Sequence, residues 1–263
     1  MSYPPEHHLL RDLRFSGEYG PRHTINHLPV TDGLRADGSV RLGVLATMVD
    51  VTGAGIALRS VSPDWIATAD LSIHVLRPID GDMVDVACEP LRVGKGNVVI
   101  DATIIDSGVV CGTGRMAFAR IPGSATKATI DAAIDPNEVE TRPPMDGGTP
   151  IDRPIDELCG FDVVGPGQLR FEKSPYVANS FGTVNGGVMA FAAEHAAVSA
   201  TGGGRAVDVQ IHYLEQVGEG PVAVTAEVAR DRGDGDLALV GVRLEDRSDR
   251  RLVAVADVMV QAD

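Results

Sequence analysis

The sequence predicts an α+β chain of two tandem repeats, each an antiparallel sheet wrapped around one long apolar helix. Three observations carry that expectation. Residues 42–50 (LGVLATMVD) and 186–194 (GGVMAFAAE) are near copies, each with a single carboxylate seven positions after the aligned glycine, Gly43 or Gly187. Each copy is followed by β-branched, largely alternating runs parted by short turns, the pattern of an antiparallel meander. The two halves also stay aligned beyond the helix: residues 69–76 fall on 207–214, residues 84–89 fall on 222–227 at the same offset, and Asp106 meets Asp246 after a small shift. Repetition that survives alignment marks an internal duplication. A helix apolar on every side belongs in a core, so each unit should close its sheet over its own helix.

In chain order, residues 1–40 carry little periodicity, with turn signals at Tyr19-Gly20-Pro21, Thr31-Asp32-Gly33 and Ala36-Asp37-Gly38, and one strand at 24–30. The first helix covers 42–59 and is stopped by Ser62-Pro63-Asp64. Strands follow at 66–77, 83–93, 97–106 and 109–121, separated by Asp80-Gly81-Asp82, Gly94-Lys95-Gly96 and Ser107-Gly108. From 122 the pattern dissolves into Pro, Asp, Glu, Thr and Gly, with one helical turn expected at 129–134. The second unit has a strand at 168–172, a helix at 186–200, and strands at 206–214, 222–230, 237–245 and 252–261. The expected division is residues 1–121, a linker over 122–159, and residues 160–263.

A formal charge of −14 argues against nucleic acid and acidic membrane surfaces as partners, while a local basic patch could still hold a polyanionic ligand. No run approaches the roughly 18 apolar residues of a membrane span, and residues 1–8, with Pro4, Pro5 and Glu6, lack an apolar leader. A cytoplasmic protein is expected. Cys88, Cys111 and Cys159 have no metal-ligand spacing and are expected to be buried or idle thiols rather than disulfides or zinc ligands. There is no Gly-x-Ser-x-Gly elbow and no Walker loop; residues 112–117 match a dinucleotide fingerprint in form, but inside a strand with no helix after it. With 4% aromatic residues and one tryptophan, Trp65, an aryl-stacking pocket is disfavoured.

The acids in the two apolar helices are the anomaly. Burial raises the pKa of a carboxyl that lacks partners, and such groups gather at functional sites. Asp50 is therefore the leading candidate, and Glu194 is expected to be a structural relict. His74 and His212 occupy one shared strand position and are not expected to be ligands. His195 lies on a different helix face from Glu194, as packing.

The stretch Asn179-Ser180-Phe181-Gly182-Thr183-Val184-Asn185-Gly186-Gly187-Val188, with Glu194 beyond it, resembles the Asn-x-x-Gly-x-x-His-Gly-Gly stretch and helix acid of the hotdog-fold thioesterases, specifically the PaaI-like acyl-CoA thioesterases in a fused double-hotdog form. The resemblance covers most of 41–121 and 168–261. It implies hydrolysis of an acyl-CoA without metal, coenzyme A being part of the substrate rather than a cofactor, and a homo-oligomer, a dimer of double hotdogs. In that family each site lies across two paired units. One unit gives an asparagine and the N–H of the first glycine, the other the helix acid and a Ser or Thr. Carried over, Asn179 and Gly186 face Asp50 and Thr68. The reciprocal set, Arg35, Leu42, Glu194 and Ala206, keeps only its acid. One working site per chain is expected. The family histidine is replaced by Asn185.

The chemistry fits that assignment. Thioester hydrolysis needs a group that activates water or attacks directly, and a hole for the developing oxyanion. Gly186 at a helix start offers an unpaired N–H and no side chain. Asp50 would be base or nucleophile, Thr68 would hold its rotamer, and Asn179 would position water or the carbonyl. Arg92 and Lys95 on the Gly94–Gly96 turn, and Arg77, are candidates for the coenzyme A phosphates, against the alternative of solvated turns. Two other functions compete: a non-catalytic acyl-CoA binding protein, and a hotdog hydratase or dehydratase. The latter needs an acid and histidine pair, and Asn185 stands where its histidine would be.

Overall fold

The computed structural model describes residues 3–123, 139–231 and 237–262, so the helical turn expected at 129–134 lies outside the described residues. The chain opens with α1 (Leu9–Asp12), β1 (Ser16–Tyr19) and β2 (Thr24–Pro29), then a small hairpin, β3 (Arg35–Ala36) and β4 (Ser39–Val40). The helix α2 (Leu42–Val61) follows, then the meander β5 (Trp65–Val75), β6 (Met83–Val93), β7 (Asn97–Asp106) and β8 (Val109–Ile121). The stretch read as linker contributes β9 (Glu140–Arg142), which pairs with β1, and α3 (Ile155–Leu158). Ile151, Ile155 and Cys159 are buried in the core. After β10 (Asp162–Gly165) and β11 (Gln168–Phe171) comes α4 (Gly186–Thr201), then β12 (Arg205–Tyr213), β13 (Val222–Asp231), β14 (Leu237–Asp246) and β15 (Arg251–Gln261).

Among the described residues, thirteen strands form one sheet, ordered β10-β11-β13-β14-β15-β12-β5-β8-β7-β6-β2-β1-β9. Its middle is the antiparallel pair β5 and β12, joined over Asp70–Ser72–His74 against His212–Gln210–Asp208. From that seam the order outward is β5-β8-β7-β6-β2-β1 on one side and β12-β15-β14-β13-β11-β10 on the other. The aligned histidines sit there: His74 bonds Asp208 and His212 bonds Asp70, one pair at each end of the seam. They tie strand to strand.

α2 packs on β2 and β5 to β8, α4 packs on β11 to β15, and the two helices pack on each other. They run antiparallel and very close. A Cβ on Gly43 would collide with the backbone of Phe191, and one on Gly187 with the backbone of Thr47. Glycine is required at both because helix backbones in contact leave no room for even a methyl group. By length and composition α2 could cross a membrane, with a mean hydropathy of 1.4 over its most apolar window, which corrects the expectation that no segment comes near that test. Thr47, Asp50, Thr52 and glycines interrupt its run of apolar residues without lowering the average enough. The sheet and α4 bury 72% of that window. The three cysteines are free and buried.

Candidate active site

Asp50 sits midway along α2, two turns beyond Gly43 and so on the same face as the helix crossing. It is 5% exposed. Its Oδ1 accepts a 2.8 Å hydrogen bond from Thr68 Oγ1. Thr68 is brought there by a bulge: β5 and β8 lose register between Thr68 and Asp70, leaving Ala69 unopposed. Bulges of this kind re-aim a neighbouring side chain. β12 carries the equivalent bulge between Ala206 and Asp208, where alanine supplies no hydroxyl.

The other wall is the first turn of α4. A Cβ on Gly186 would lie 3.2 Å from Asp50 Oδ2 and 3.3 Å from Tyr213 Oη, so the missing side chain is what opens the acid to that helix end. Burial pushes the Asp50 carboxyl up to about 6, against the opposing hydrogen bonds from Thr68 and the Gly187 N–H. Two donors do not offset full removal from water. At neutral pH the group is mostly ionised, yet it is a far stronger base than an ordinary aspartate.

Asn185 caps α4, its Oδ1 accepting from the Gly187 N–H at 2.9 Å. Asparagine at the family's histidine position therefore serves the helix end. Asn179 organises the loop before it. Its Oδ1 accepts from the N–H groups of Phe181 (2.9 Å) and Thr183 (3.2 Å), and Ala178 bridges to Val184. The amide oxygen is thus committed to the loop that delivers Gly186. Phe181 stacks edge-on against Trp65 at 4.9 Å, which fastens that loop to the start of β5.

The basic candidates separate. Ala119 of β8 lies between Ala67 and Asn97, so the turn holding Lys95 is two strands from the Thr68 end of β5, about 10 Å. Lys95 is exposed there, and Arg92, also exposed, lies on β6, one strand further out. Arg77 lies beyond the opposite end of β5, where its Nη2 reaches the Asp106 carbonyl at 3.5 Å.

The reciprocal set is filled by its own side chains. Glu194 is 4% exposed and takes the N–H groups of Leu42 (3.2 Å) and Gly43 (2.9 Å) on its two oxygens. It caps α2 from the neighbouring helix, where the N-cap residue Arg41 offers no side-chain acceptor. Arg41 fills the space alongside, bonded to Asp156 Oδ1 (2.8 Å) and His195 Nδ1 (2.7 Å), 3.8 Å from Glu194 and stacked over Phe191. Burial raises the Glu194 carboxyl, opposed by Arg41 and the two N–H groups. Arg35 is held elsewhere, by the carbonyls of Ile79 and Gly81.

Sequence reasoning missed two tyrosines. Tyr213 Oη donates to the Gly186 carbonyl at 2.8 Å. Its one sequence signal is asymmetry: the aligned residue of the first half is Val75. Tyr3 reaches the Ala178 carbonyl at 3.5 Å, and burial and the Asp50 charge both raise its phenol. Nothing local in residues 1–8 signals that approach; it depends on Arg11 holding the carbonyls of Pro4 and Pro5.

Residues 175–260 match the family model of the acyl-CoA thioesterase N-terminal domain. A candidate esterase of Halobacterium salinarum is 32% identical over 114 residues, 40% of this chain and 74% of that protein. Among solved structures, an acyl-ACP thioesterase from Bacteroides thetaiotaomicron superposes with a TM-score of 0.61 at 12% identity, covering 91% of this chain and 98% of that one. A 12:0-ACP thioesterase from Umbellularia californica gives 0.59 at 10%, covering 92% and 94%. At such identities these structures speak for the fold alone. With that fold, the matched domain and the Halobacterium relative, the chain belongs to the hotdog-fold thioesterases, a family of thioester hydrolases.

Proposed function

We propose that this chain is an acyl-CoA thioesterase of the PaaI-like kind. It would be built as two tandem hotdog units, residues 1–121 and 160–263 joined by 122–159, with one competent site per chain. The matching strand order on the two sides of the β5 and β12 seam supports the tandem reading. The observation that carries the activity is the ionisable, buried Asp50 held by Thr68 from one unit against the glycine-opened first turn of α4 from the other.

In this reading the thioester carbonyl lies over Gly186, whose N–H and helix dipole take the developing oxyanion. Asp50 accepts a proton from water as its oxygen attacks the carbonyl carbon; the carbon–sulfur bond then breaks and the coenzyme A thiolate leaves, to be protonated. Direct attack by the carboxylate, forming an anhydride that water opens, uses the same atoms. In this reading Arg92 and Lys95, both exposed, would meet the nucleotide phosphates.

The test is free-thiol release from short, long and aromatic acyl-CoAs and from an acyl-carrier-protein thioester, by wild type and Asp50→Ala. Release from acyl-CoA that is lost in Asp50→Ala supports the proposal. Release from the carrier-protein thioester alone would overturn the coenzyme A assignment. Tight binding with no release by either form would make the chain an acyl-CoA binding protein.

A further inference from the structure

Tyr213 stands at the end of β12, half-buried, with its hydroxyl on the Gly186 carbonyl at 2.8 Å. That carbonyl and the Gly187 N–H belong to one planar peptide, so fixing the first fixes the second. That N–H donates to Asn185 Oδ1 at 2.9 Å and, facing Asp50, lowers its carboxyl against the effect of burial. The Tyr213 hydroxyl, the Gly186–Gly187 peptide and the carboxylate are therefore neighbours: the Cβ position of Gly186 lies 3.3 Å from Tyr213 Oη and 3.2 Å from Asp50 Oδ2. Hydrogen bonds in series polarise each successive donor.

Two further observations give the arrangement a purpose. The tyrosine occurs only in the half whose glycine faces Asp50, and its counterpart near Leu42 is Val75. Burial, with the negative charges of Asp50 and Asp70, raises the Tyr213 phenol well above its ordinary value, so it remains a donor throughout the working pH range.

We propose that Tyr213 is a positioning residue for the Asp50 site: its hydroxyl orients and polarises the Gly186–Gly187 peptide, whose one N–H, that of Gly187, faces the carboxylate. The idea rests on the thioesterase reading above and adds to it a residue acting through the peptide.

The experiment compares wild type, Tyr213→Phe, and a protein with 3-fluorotyrosine at position 213, with Asp50→Asn beside them. The more acidic fluorophenol is a stronger donor, so the two changes act in opposite directions. For Tyr213→Phe we expect kcat to fall about tenfold with KM within about twofold, and the acid inflection of kcat/KM to move upward by a few tenths of a pH unit, since a weaker N–H favours the protonated acid. The fluorinated protein should move that inflection downward. A structural role alone would lower thermal stability and leave both inflections at the wild-type position, which overturns the proposal. If Asp50→Asn keeps its turnover, the thioesterase site itself has been misassigned; if Asp50→Asn is inactive while Tyr213→Phe matches wild type, only the role of Tyr213 fails.

Discussion

Asp50 costs the fold stability in return for basicity. Its carboxyl titrates at about 6 when folded against an ordinary value of 3.8, so the folded state holds that proton more tightly than the unfolded state. The stability it contributes is complete below pH 3.8 and is lost as pH rises through 6. A carboxyl raised that far costs the folded state about 3 kcal/mol at neutral pH as an upper bound. Asp50→Asn, which mimics the neutral acid, should therefore be more stable than wild type at pH 8 by about 1–3 kcal/mol, with the two converging below pH 4; thermal unfolding at both pH values checks this. As the proposed base the same carboxyl acts when ionised, so kcat/KM should rise with pH through an inflection near 6. Thr68→Val removes the 2.8 Å hydrogen bond that lowers it, and should move that inflection upward and reduce kcat about tenfold, read from pH–rate profiles. The grouping of Asp50, Thr68 and Gly186 was legible because the resemblance named the positions and the duplication showed that only one combination keeps both the hydroxyl and the glycine beside its acid. Tyr3, Tyr213 and Arg41 were not, since each acts on a group distant in sequence.

The crossing of α2 and α4 imposes different demands on adjacent glycines. Gly43→Ala and Gly187→Ala put a methyl group into the facing helix backbone and should destabilise by about 1–3 kcal/mol or more in denaturant unfolding. Gly186→Ala meets only side chains, at 3.2–3.3 Å, and should fold while losing turnover, because the methyl group stands between the helix end and Asp50. The long elements were readable: β6, β7 and β8 begin and end where alternation and flanking turns put them, and both helices start at the expected residues. The short ones, α1, β1, β3, β4, β9, α3 and β10, run two to four residues each and carry too few positions for a period to register. β9 and α3 lie inside Pro- and Asp-rich sequence and are held by distant partners, β9 by β1 and Asp156 of α3 by Arg41.

At the scale of the molecule, the proposed site draws on both sides of the sheet's central seam. Asp50 and Thr68 come from one side of the β5 and β12 seam and Gly186 from the other, and the start of α2 is capped by Glu194 of α4. A half alone would leave β5 or β12 as an open edge and uncover an apolar helix face. Residues 1–130 and 131–263 expressed separately should be insoluble or inactive, and their co-expression should restore thiol release. The two acids are alike in burial and in position, yet they are set to different work: Glu194 accepts two backbone N–H groups beside Arg41, whereas Asp50 faces a glycine-opened turn. Acyl-CoA turnover by wild type, Asp50→Asn and Glu194→Gln, followed in parallel with thermal unfolding, separates those roles. Asp50→Asn should lose turnover and gain stability at pH 8, while Glu194→Gln should keep turnover and lose about 1–2 kcal/mol with one of its backbone hydrogen bonds. Turnover abolished by Glu194→Gln in a folded protein, and retained by Asp50→Asn, would place the working site at the other helix acid and refute the assignment.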